Sequence, residues 1–88
     1  MRPLMGQMLA VLERAQERRS EVADLSWIEY ERAAMHAAVN AERTRRGLPA
    51  VTMDAIARVE SNACGHVDYS RKFALYCAEL AEGATPPC

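Results

Sequence analysis

The sequence predicts an all-α fold, a small bundle of about four helices arranged as two helical hairpins. Three observations predict it. Alanine, the residue that loses least on entering a helix, is abundant throughout. Apolar residues recur at helical spacing in four separate stretches, and no stretch alternates as a strand would. Glycines at 47, 65 and 83 punctuate the later stretches, where a left-handed stop is expected.

The first helix is expected to run from Pro3 to about Ala23, with proline tolerated in the first turn. Leu4, Met5, Met8, Leu12, Ala15 and Val22 form its apolar stripe, and Arg19 interrupts that stripe. The second helix has the strongest start signal. Ser26 and Glu29 make a capping box, and Leu25 and Tyr30 occupy the two positions of a hydrophobic staple. It is expected to run to Arg46 and stop at Gly47. Its apolar arc is wide, from Trp27, Ile28 and Tyr30 through Met35 and Val39 to Ala41, and Glu31 and Glu42 lie inside it. Pairs of alanines four apart, Ala34 with Ala38 and Ala37 with Ala41, would let another backbone approach closely.

Pro49 prevents the second helix from continuing. Thr52 then caps a third helix reaching about Cys64, with Val51 and Ile56 as a second staple. Met53, Ile56, Ala57 and Ala63, with Val59 and Cys64, are assigned to its inner side. Asp68 caps the fourth helix, where Tyr69, Phe73, Tyr76, Cys77 and Leu80 form a continuous stripe. Residues 1–83 read as one helical domain and residues 84–88 as a flexible tail. The first two helices are expected to pack antiparallel about Asp24-Leu25-Ser26, pairing Arg19 with Glu31 across their interface.

Composition narrows the function classes. The chain has 88 residues, so its core is modest and association would help its stability. Its 11 basic and 12 acidic residues give a net charge of -1, which argues against a nucleic-acid partner that relies on phosphate contacts. No apolar run reaches the roughly 20 residues needed to span a bilayer, and the start lacks the long apolar region of a signal peptide. Three cysteines without a CxxC pair read as reduced thiols, which favours a cytoplasmic location.

Chemistry-bearing constellations are sparse. Cys64, His66, Cys77 and His36 are zinc-ligand types, but their spacing does not supply two close pairs. Cys64 would sit at a helix C-terminus, where the dipole works against a thiolate. Glu31 and Glu42 lie about 16 Å apart along one helix, too far for a paired acid and base. A chain this short is also not expected to enclose a pocket of a few hundred Å³ and still keep a core. The reading is therefore a non-enzymatic chain with no cofactor, no metal site and no small-molecule substrate. A thiol or metal-dependent enzyme is the weakest alternative.

The leading expectation is a protein-interaction module that self-associates or docks on another protein. Its contact surface is assigned to one edge of the second helix, Ile28, Met35 and Val39, with Arg43, Arg45 and Arg46 as a charged rim. The alternative is a DNA-binding regulator that uses the third and fourth helices as a helix-turn-helix about Gly65-His66-Val67, with Ser70, Arg71 and Lys72 exposed.

The segment Gly65-His66-Val67-Asp68-Tyr69-Ser70-Arg71-Lys72-Phe73-Ala74-Leu75-Tyr76-Cys77-Ala78-Glu79-Leu80 resembles a stretch found in small helical proteins of actinobacterial phages. It covers the last third of the chain. The arginine-rich, lysine-poor composition, with Lys72 the only lysine, suits a GC-rich genome of that kind. The resemblance implies a phage accessory protein that acts on a host protein in the host cytoplasm, and implies no particular activity.

With Cys77 read as packing, the fold should form without metal. A strong chelator is expected to leave the helical circular dichroism unchanged, whereas a loss of helicity would mean that Cys64, His66 and Cys77 hold a structural ion.

Overall fold

The computed structural model describes residues 3–18 and 27–86. It contains four helices and, among the described residues, no strand: α1 (Pro3–Arg18), α2 (Trp27–Arg45), α3 (Met53–Ala63) and α4 (Tyr69–Ala81). The end of the first helix beyond Arg18, the Asp24-Leu25-Ser26 turn, the Ser26 cap, the Leu25 staple and the Arg19 pairing lie outside the described residues.

Side-chain contacts between helix ends establish the topology. The Gln16 amide donates to Ser70 Oγ at 3.4 Å, joining the end of α1 to the start of α4. Tyr69 reaches Glu31, so α2 and α4 start at the same end of the bundle. Arg43 reaches Leu80, so they also finish together. Arg32 meets Glu60, which sets α3 against the direction of α2. The result is an up-down-up-down bundle in which α2 and α4 run parallel and α1 and α3 flank them. Both α2 and α4 pack against all three other helices.

The core follows the helical stripes. Leu4, Met8 and Leu12 of α1 meet Met35 and Val39 of α2, Ile56 and Val59 of α3, and Phe73, Cys77 and Leu80 of α4. Phe73 is fully buried, and Tyr69 packs its ring 5.8 Å from it, centre to centre. Thr52 caps α3 as expected, its Oγ1 accepting the Ala55 N–H at 3.2 Å, and the staple residues Val51 and Ile56 are both buried. Two expectations are corrected. Asp68 precedes α4, but its side chain makes no capping bond. Met53 and Cys64 are exposed, because α3 turns Ala55 and Glu60 inward instead. The Ala84 N–H donates to Glu79 O at 2.9 Å.

Two helices end in the same way. At α2, the Gly47 N–H bonds Thr44 O and the Leu48 N–H bonds Arg43 O, with Gly47 at a φ of 74°. At α4, the Gly83 N–H bonds Leu80 O and the Ala84 N–H bonds Glu79 O, with Gly83 at a φ of 114°. Both are Schellman motifs, which need a residue free to adopt positive φ. They lie side by side: a Cβ added to Gly83 would sit 3.5 Å from Leu48 Cδ1.

Arg43 joins these two ends. Its side chain is buried, with Nε donating to Pro49 O and Nη1 donating to Leu80 O, both at 2.6 Å. Two helix C-termini brought together concentrate negative dipole ends, and the buried guanidinium near them makes charge-assisted bonds to a last-turn carbonyl of α4 and to the loop that follows α2. A second clamp holds the α2–α3 connection. Val51 donates its N–H to Asn40 Oδ1 at 2.8 Å, and Asn40 Nδ2 donates back to Val51 O at 3.0 Å. His36 Nε2 lies 2.9 Å from the same carbonyl and 3.1 Å from Asn40 Nδ2.

Arg43→Ala should remove two charge-assisted bonds and the packing of a buried side chain, at a cost of about 3 kcal/mol. For a domain of this size that is a fall in melting temperature of roughly 15 °C. Arg43→Lys should recover part of it. A thermal melt in which Arg43→Ala matches wild type would rule out the clamp.

Candidate functional site

The structure brings together a polar cluster that spacing along any one helix does not reveal. α2 carries Glu31 inward with no exposed surface, and α3 carries Glu60 inward at 3% exposure. Arg32 donates from Nε and Nη2 to Glu60 Oε1, at 3.0 and 2.8 Å. The Tyr69 hydroxyl lies 3.2 Å from Glu60 Oε2 and 3.3 Å from Glu31 Oε1. A phenol has one proton, so it serves one of these carboxylates at a time. Burial first, and then the charges of Glu60 and Glu31, push the Tyr69 hydroxyl far above its ordinary range. Burial, and then the charge of Glu60, likewise push the Cys77 thiol up. Cys77 is therefore a protonated packing group and not a nucleophile.

An open cleft of about 380 Å³ borders this cluster. Ile28, Ala57 and Gly65 form its apolar wall, Arg32, Glu60 and Tyr69 its floor, and Ser61 and Cys64 its rim. Across the α3–α4 turn, a cleft of about 440 Å³ lies between α1 and the start of α4, with Leu9, Val67 and Ser70 among its lining. Both are open clefts and not enclosed pockets. Four short helices leave gaps where their ends splay, and these gaps are open to solvent.

The expected contact edge of α2 is also corrected. Met35 and Val39 are 0% exposed, because α3 and α4 close over the side of α2 that α1 leaves uncovered. Arg43 is 6% exposed and serves the helix ends, so it forms no rim. Ile28 remains at the surface at 37% exposure, on the cleft wall. Arg45 and Arg46 are exposed and both pair with Glu42, Arg46 Nε lying 3.0 Å from its Oε1. Cys64 and His66 are on the surface while Cys77 is in the core, so these three do not converge. Among the described residues no group of three or more His, Cys, Asp or Glu is placed to hold a metal ion.

The opposite side of α2 is different in character. Ala33, Ala37, Ala41 and Thr44 fall four, four and three residues apart and are all exposed. They form one solvent-facing strip with no charged side chain, along a helix of 19 residues. A helix on the surface of a bundle normally turns long charged residues outward, and a helix that is apolar on both sides is normally covered.

Comparison with protein-family models, with curated proteins and with solved structures finds no match to this chain. No helix among the described residues is long and apolar enough to cross a membrane.

The raised Tyr69 and Cys77 groups have a sign that can be tested. Above about pH 9 the unfolded chain releases the cysteine proton, and above about pH 10 the tyrosine proton. The folded chain keeps both, so it binds more protons than the unfolded chain and stability falls as pH rises. Denaturant unfolding between about pH 9 and 11 should show this decline. Tyr69→Phe should make this decline shallower, by at most about 1.4 kcal/mol per pH unit once the unfolded tyrosine is fully ionised. Equal slopes in the two proteins would contradict the placement of Tyr69.

Proposed function

We propose that this chain is a non-enzymatic helical interaction module that docks through the outer face of α2. The observation that carries this reading is the exposed, uncharged strip Ala33, Ala37, Ala41 and Thr44. Small side chains let a second helix approach to about 8 Å between axes, where backbone and methyl groups pack closely. The inner face of the same helix is committed to the core through Met35 and Val39, so the outer face is available without unfolding. Arg45, exposed at the end of the strip, provides a cation at its border. Of the residues assigned to the contact from the sequence, Arg45 borders the strip, and the apolar centre moves to the alanines.

The polar groups of the α2–α3 cleft are engaged with one another, which favours binding over catalysis as the business of this surface. The DNA-binding alternative is less well supported, because α4 packs against three helices and has little surface left to enter a groove. The resemblance of residues 65–80 to phage proteins adds the origin and the setting: a phage-encoded chain whose partner is a host protein in the host cytoplasm, or a second copy of itself.

Ala37→Glu places a charge at the centre of the strip while touching no buried residue. It should change stability by less than about 0.5 kcal/mol. Light scattering after size-exclusion chromatography should show wild type in an assembly larger than its 9.8 kDa chain, alone or with its co-purified partner. Ala37→Glu should elute as the lone monomer. A wild type that stays monomeric at millimolar concentration, or a variant that retains the same partner, would overturn the proposal.

A further inference from the structure

We draw no further inference here: the strongest candidate, the open cleft between α2, α3 and the α3–α4 turn with Arg32, Glu60 and Tyr69 at its floor, is an acidic cluster bonded to its own neighbours, and nothing in the structure shows what covers it.

Discussion

The bundle depends on the burial of one guanidinium. Arg43 donates to the carbonyl of Pro49 and to that of Leu80, at the point where α2 and α4 both end. Parallel helices are the awkward pair in a four-helix bundle, since their like dipole ends lie side by side. A cation between the two C-termini turns that repulsion into attraction. It also gives Leu80 O, which already accepts the Gly83 N–H, a second and charge-assisted bond. The two glycine-terminated ends can then pack together, with Leu48 lying against Gly83.

The other end of α2 is held by a different device. There Arg32, Glu60, Tyr69 and Glu31 form a chain of hydrogen bonds that ties α2 to α3 and α4. Buried carboxylates are costly unless their lone pairs are met, and the Arg32 guanidinium and the Tyr69 phenol meet those of Glu60. Between these two polar ends the middle of α2 contributes Met35 and Val39 to a dry core. The rotation of α2 about its axis is therefore determined at both ends and in the centre. That fixed rotation is what turns Ala33, Ala37 and Ala41 to solvent. The functional proposal follows from packing that leaves the strip exposed among the described residues.

The fold was legible because its signals are local. Thr52, the stop glycines at 47 and 83, and the stripe from Tyr69 to Leu80 each act within a turn or two of their own position. The polar cluster was not, because its members come from three helices. One signal was available: Ile56, Val59, Glu60 and Ala63 share helical spacing, which places Glu60 on the buried side of α3. Arg43 shows a subtler limit. A cation at a helix C-terminus is predictable from the dipole, but the second helix end that it serves is a tertiary fact. The contact edge was misjudged for a similar reason. A wide apolar arc shows that several neighbours are needed, but does not show that α3 and α4 both supply them. The alanine strip was visible in the spacing of Ala37 and Ala41, although its exposure depends on which way α2 is turned.

The central claim is that α2 faces two ways, with Met35 and Val39 inward and the alanines toward a partner. Methyl-resolved NMR with a soluble paramagnetic probe tests it most directly. In the dilute monomer, the methyls of Ala33, Ala37 and Ala41 should broaden strongly, and those of Met35 and Val39 should be untouched. In the assembled state the three alanine methyls should become protected while Met35 and Val39 stay as they were. Broadening of Met35 or Val39 in the monomer, or alanine methyls that remain fully accessible in the assembly, would contradict the account.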